Sequence, residues 1–250
     1  MKLLLTSRSV LNTKENGVTI DSNLNPDNGF IEIIKNNLEN FNKLVFICNE
    51  SFDYSMNDNS AKMLKKAFEK VGINFKTLEV LDERNAKNID KVLENASVIY
   101  LQGGKIEIQA KFLEKYNAKK YLKNSNALII GQSAGSMNLA GKVYNYPETD
   151  EEKNLPKFYT GLGLTNINII PHFNLETGNV LFTGSFNLLE DYFLKDSFLL
   201  HLLAFNDGSF IFIKENENIM CGEAYKIENG KIEKICENNK TINLNKFLKL

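Results

Sequence analysis

A lone serine, Ser133, stands in the segment Gly131-Gln132-Ser133-Ala134-Gly135, directly after the apolar run Ala127-Leu128-Ile129-Ile130. The spacing fits G-x-S-x-G at a strand-to-helix corner, an arrangement that lifts a hydroxyl nucleophile clear of its sheet. Such a corner holds serine in a sparsely populated backbone conformation at a cost of about 1–3 kcal/mol. It admits only small neighbours, and Gly131, Ala134 and Gly135 are small. The backbone N–H of Ala134 would then face the oxygen that becomes charged during acyl transfer.

A serine hydroxyl needs a base, and the chain contains only two histidines. His201 lies inside the unbroken apolar run "SFLLHLLAF", which predicts a packed or edge residue. His172 follows the apolar stretch of "NINIIPHFN" behind Pro171, which predicts a loop at a strand end. A second oxyanion donor has to come from another loop on the same edge. Gly103-Gly104 in "VIYLQGGKIEIQ" offers it, because glycine lets backbone approach a substrate closely. A carboxylate must orient the imidazole. Asp207 in "LLAFNDGSFIFI" is the candidate, although Asn-Asp-Gly between two apolar runs also reads as a hairpin turn. Glu148, Glu176 and Glu190 compete with it, and spacing does not choose among them.

These residues need a scaffold that brings distant segments to one edge. Short apolar runs bounded by turn residues predict strands at Lys2–Thr6, Leu44–Cys48, Asn74–Val80, Ser97–Leu101, Ala127–Ile130 and Ile167–Ile170. Helical periodicity lies between them. In "NDNSAKMLKKAFEKVG", Ala61, Leu64, Phe68 and Val71 share a face, with N-caps offered by Asn57 to Ser60 and a C-cap by Gly72. "NIDKVLENA" and "EIQAKFLEKYNAKKYL" repeat the pattern more weakly. Alternation of this kind predicts an α/β fold, a mostly parallel twisted sheet with helices on both faces. The last fifty residues are strand-rich, and Asn229-Gly230 between two alternating runs signals a hairpin. Antiparallel strands near the C-terminus are therefore expected to close the sheet at one edge. With no repeat and no low-complexity linker, one domain spanning 1–250 is expected.

Thirty basic residues against thirty-one acidic ones leave a net charge of −1, with no long run of like charge, which argues against a nucleic-acid partner. The N-terminal "MKLLLTSRSV" is too short in apolar residues for a signal peptide or a membrane span. Three cysteines without a CxxC pair point to a reduced, cytoplasmic compartment. Two histidines and no Cys/His cluster argue against a zinc site, and no cofactor is expected. The expected partner is a small substrate bound by a monomer or homodimer.

Taken together, the motifs resemble the peptidase E family, serine peptidases that include aspartyl dipeptidase and cyanophycinase. "KLLLTSRSV" resembles its first strand, "LQGGK" its oxyanion loop, "GQSAGSMNLA" its elbow and "IIPHF" its Pro-His-Phe segment. "AFNDGSF" is similar to a segment where the family has an acidic residue followed by Gly, and "CGEAYKIENGKI" to the closing strands of a bacterial glutamine-amidotransferase-like subgroup. The resemblance implies a sheet like that of class I glutamine amidotransferases. It implies Ser133 as nucleophile, His172 as base, Asp207 as orienter, and the Gly104 and Ala134 N–H groups as oxyanion hole. It also implies cleavage of short peptides, with Gly103, Lys105, Gln132 and Arg8 as candidates for substrate contact.

Two features depart from the family. Lys105 stands where Asn or Asp usually follows the glycines, and no arginine lies between His172 and Asp207, where the aspartyl dipeptidases use one to read an acidic substrate. At most a moderate acidic preference is therefore expected, with Lys105 or Arg8 supplying positive charge. The same machinery would also serve an esterase or amidase on a non-peptide acyl compound, or survive in a catalytically silent, ligand-binding relative. A glutaminase is disfavoured, because class I amidotransferases need cysteine at the elbow.

Overall fold

The computed structural model describes residues 1–215 and 217–247. The chain begins with β1 (Lys2–Thr6), a hairpin of β2 (Val10–Glu15) and β3 (Val18–Leu24), α1 (Phe30–Asn37), β4 (Lys43–Ile47), α2 (Tyr54–Lys70) and β5 (Thr77–Leu81). It continues through α3 (Ile89–Leu93), β6 (Ala96–Leu101), α4 (Ile106–Lys115), α5 (Ala118–Leu122), β7 (Leu128–Gln132) and α6 (Ala134–Met137). Then come β8 (Lys142–Tyr144), β9 (Phe158–Thr160), β10 (Asn168–Ile170), a π-helical turn at Leu189–Leu194 and β11 (Leu202–Phe205). The chain closes with β12 (Phe210–Lys214), β13 (Glu217–Cys221), β14 (Ala224–Glu228), β15 (Lys231–Cys236) and β16 (Thr241–Asn243).

Eight strands form the central sheet in the order β16-β13-β12-β1-β7-β6-β4-β5. The five from β1 to β5 in that order are parallel, and β12, β13 and β16 extend the sheet antiparallel beyond β1. The parallel strands are apolar on both faces because both faces are covered. Leu4, Phe46, Tyr100 and Ile130 pack with α1 and α2 on one side; Leu3, Leu5, Ile99 and Ile129 pack on the other with α3 to α6 and a second sheet. That second sheet runs β10-β11-β14-β15.

Register decides what emerges where. Thr6 lies opposite Gln132, and Leu101 opposite Gly131, so β1, β6 and β7 end side by side. Ser7, Gln102 and Ser133 follow directly from these adjacent carboxyl ends, the position at which open α/β sheets bind ligands.

Several expectations need adjustment. The Ile167–Ile170 strand exists as β10, but in the second sheet rather than the central one. The Asn229-Gly230 turn has φ 52° and 72° and joins β14 to β15, also in the second sheet; the central sheet is extended instead by β12, β13 and β16. Asn216, inside the strand-rich run, lies outside the described residues. Helix α2 starts one turn earlier than expected because Asp53 caps it, accepting from the Met56 N–H at 3.0 Å. The long helical pattern after Lys105 breaks into α4 and α5 at Asn117, whose φ is 49°. His201 is exposed rather than packed, with Nδ1 2.5 Å from Glu228 Oε1. Among the described residues no helix is long and apolar enough to cross a membrane.

Candidate active site

Ser133 follows β7 with φ 50° and ψ −119°, a conformation that residues other than glycine rarely adopt. Local packing holds it there. The Ser133 N–H donates to Thr6 O at 2.9 Å, Thr6 Oγ1 donates to Gly131 O at 2.7 Å, and Ser136 Oγ both donates to Thr6 O and accepts from the Thr6 N–H. The elbow glycines are required by space: a Cβ on Gly131 would sit 2.5 Å from Ser136 Cα, and one on Gly135 2.3 Å from Leu101 O. Any larger residue would push β7, β6 and α6 apart.

His172 follows β10 and is buried, again with positive φ, 57°. Its Nε2 lies 3.0 Å from Ser133 Oγ, and its Nδ1 lies 2.6 Å from Asp207 Oδ1. Asp207 sits in the turn between β11 and β12, so the second sheet supplies the histidine and the β11–β12 crossover to the central sheet supplies the acid. Burial opposes ionisation of Asp207, but the hydrogen bond and charge of His172, the Ser7 hydroxyl and Arg8 outweigh it and hold the carboxyl below the usual carboxylate range. Of the competing carboxylates, Glu176 and Glu190 are exposed and do not reach His172; Glu148 is near enough to feel its charge but not to bond it.

Ser7 is a site residue that the sequence reading missed. Fully buried, it donates from Oγ to Asp207 Oδ1 at 2.7 Å and accepts the His172 N–H at 2.7 Å. The only signal was its place just past the apolar run of β1, at the same edge as the elbow. Asn49, just past β4, is a second. Its Nδ2 donates to Lys105 O at 2.9 Å and its Oδ1 accepts the Lys105 N–H at 3.0 Å, clamping the glycine loop. Gly104 has φ 144°, and a Cβ there would lie 2.5 Å from Asn49 Cγ, so glycine is demanded by both conformation and space. Gly103 backs directly onto the elbow, where a Cβ would lie 3.1 Å from Ser133 Cβ.

The four expected substrate-contact residues divide. Gly103 is beside Ser133. Gln132 is turned away from it: its Oε1 accepts from the Ser9 N–H and hydroxyl and from Tyr100 on the α1/α2 side of the sheet. Arg8 pairs with Asp207, Nη1 to Oδ2 3.3 Å, and Lys105 pairs with Glu152. Gly104, Ser133 and Ala134 line a cavity of about 290 Å³ on the α4/α6 side. A larger cavity of about 760 Å³ lies across the sheet beneath β2–β3 and includes Gln132 but not Ser133. Cys48, a thiol just past β4, is fully buried, and burial pushes it up to about 12.

A strained serine at the carboxyl edge of a parallel sheet, bonded to a histidine that is bonded to a carboxylate, is the arrangement of an α/β serine hydrolase. The profile of peptidase family S51 matches residues 3–220. The chain therefore belongs to peptidase family S51 and is a serine-type peptidase. Among solved structures, a peptidase from an acI-B1 Actinobacterium is 16% identical with a TM-score of 0.62, covering 97% of this chain and 96% of its own. A protein assigned to peptidase E from Listeria monocytogenes EGD-e is 17% identical with a TM-score of 0.55, covering 94% of this chain and 98% of its own. Both share the fold. Among curated proteins, none matches the sequence.

Proposed function

We propose that this peptidase cleaves short peptides through an acyl-enzyme formed on Ser133. The observation that carries the reading is the position of His172, with one ring nitrogen 3.0 Å from Ser133 Oγ and the other 2.6 Å from Asp207. His172 Nε2 takes the proton as Ser133 Oγ attacks the scissile carbonyl carbon, and Asp207 steadies the imidazolium through Nδ1–H. The carbonyl π electrons move to oxygen, and the Gly104 and Ala134 N–H groups receive the charge. Collapse breaks the C–N bond, and His172 returns its proton to the leaving amine. Water, deprotonated by His172, then attacks the ester carbonyl, and Ser133 leaves with the proton as the acid product departs.

The test is labelling with a fluorophosphonate followed by peptide mapping. Rapid modification of Ser133, abolished in His172→Ala, is the expected result. Labelling elsewhere, or labelling that persists without His172, would remove the assignment.

A further inference from the structure

The two cations expected to draw an acidic substrate are both neutralised within the protein, Lys105 by Glu152 and Arg8 by Asp207. The cavity that opens onto Ser133 is lined by four glutamates, Glu107, Glu148, Glu151 and Glu152, against the single cation Lys105. Three of the four have partners. Glu152 binds Lys105, Glu107 accepts from the Tyr159 hydroxyl at 2.8 Å, and Glu151 bonds Thr149.

Glu148 differs. Among the described residues its carboxylate makes no hydrogen bond or ion pair, while its backbone N–H donates to Glu152 Oε2 at 2.9 Å. Burial, reinforced by the charge of Glu152, pushes its carboxyl above the usual range despite the opposing charges of His172 and Lys105. A partly desolvated carboxylate with no hydrogen-bonded or ion-paired partner among the described residues is unfavourable in the empty protein, and such a group is satisfied by an incoming cation. The same cavity is lined by the apolar side chains of Ile106, Met137 and Leu155 and by Tyr146. That combination of apolar walls and a carboxylate matches a long alkyl stem carrying a charged head.

We infer that this cavity takes the lysine or arginine side chain of the substrate residue whose carbonyl is attacked, with Glu148 as the counter-ion. The inference rests on the reading of Ser133 as the nucleophile. An aspartate in the same cavity would meet uncompensated negative charge, and like-charge juxtaposition is strongly rejected. The preference is therefore opposite in sign to that of an enzyme reading acidic residues.

The test compares Nα-acetylated and free aminoacyl p-nitroanilides of lysine, norleucine and aspartate. Norleucine keeps the alkyl stem and lacks the ammonium. For the acetylated pair, kcat/KM for lysine should exceed that for norleucine by about tenfold or more, as expected for a desolvated charge pair, with aspartate poorest. Glu148→Gln, checked for folding by its melting curve, should bring the lysine-to-norleucine ratio to about threefold or less, the residue expected once a single charge pair is removed. A second arm measures binding of Lys-Leu and norleucyl-Leu to Ser133→Ala by calorimetry, where no turnover is needed. If wild-type Ser133 resists fluorophosphonate while Lys-Leu still binds preferentially, the nucleophile reading fails and the cation cavity stands. Equal lysine and norleucine values, a preference for aspartate, a preference undiminished in Glu148→Gln, or discrimination that follows only the free α-amine would each overturn the inference.

Discussion

Replacing Ser7 with alanine tests whether the first strand is part of the catalytic machinery. The side chain is fully buried and makes two hydrogen bonds of 2.7 Å, one to Asp207 Oδ1 and one from the His172 N–H. The first is charge-assisted, contributing about 1.5–3 kcal/mol, and the second leaves a buried N–H unpaired, costing about 1–3 kcal/mol. Both pass through one hydroxyl and are not additive, so Ser7→Ala should lose about 2–4 kcal/mol of unfolding free energy. Asp207 keeps its bonds to His172 and Arg8, so the effect on kcat should be smaller than the roughly 10⁴-fold that follows from disabling the orienting carboxylate outright. A fall of about ten- to a hundredfold, or about 1.4–2.7 kcal/mol in barrier, is expected.

The pH dependence has a definite sign. Asp207 is held below the usual carboxylate range, so it adds stability above the unfolded carboxylate value, and that stability is lost as pH falls through the folded value. Without Ser7 the folded value moves back up. The deficit of Ser7→Ala should be full at neutral pH and shrink in acid, leaving the part due to the orphaned N–H. Urea denaturation at neutral and acid pH, with steady-state kinetics on one peptide, measures both. A deficit below about 0.5 kcal/mol, the range of an ordinary surface substitution, with kcat unchanged, would refute the reasoning.

Ser133→Ala and His172→Ala should each reduce kcat by about 10⁴–10⁶-fold and the double variant hardly further, since the pair acts as a unit; a residual activity above a tenth in either would break the assignment. Gly104→Ala forces a Cβ to within 2.5 Å of Asn49 and should displace the oxyanion loop, costing about 10²–10³-fold in kcat with little change in KM. Steady-state kinetics that show KM alone rising would point to substrate contact instead. Glu148→Gln should raise the melting temperature at neutral pH. The raised carboxyl value means that ionisation of Glu148 opposes folding above the unfolded value, and the gain should vanish in acid where Glu148 is protonated in both states. A melting temperature that falls at neutral pH would show that Glu148 has a stabilising partner.

Much of this protein was legible one segment at a time. The apolar runs of β1, β4, β6 and β7 read as buried strands because parallel strands covered on both faces are apolar throughout. The elbow was legible because a strained corner between strand and helix excludes all but small residues, and that exclusion is written in five consecutive letters. His172 followed by elimination, in a chain with two histidines.

What the sequence left open were the questions of pairing across long separations. Asp207 and three glutamates were equal candidates by spacing; only the join of the second sheet to the central one brings Asp207, 35 residues away, to 2.6 Å from the imidazole. Ser7, 165 residues from His172, carries no local signal, since a serine after a strand is ordinary until its neighbours are known. The charge of the cavity beside Ser133 was likewise unreadable. Lys105 and Arg8 look like free cations in the sequence, and only folding places Glu152 and Asp207 against them and leaves the Glu148 carboxylate, beside Ser133, without a partner among the described residues. Local conformation depends on neighbours within a few residues, which a sequence displays. Electrostatic and hydrogen-bond partnership depends on distance in space, which is set only when β1, β7 and the second sheet come together.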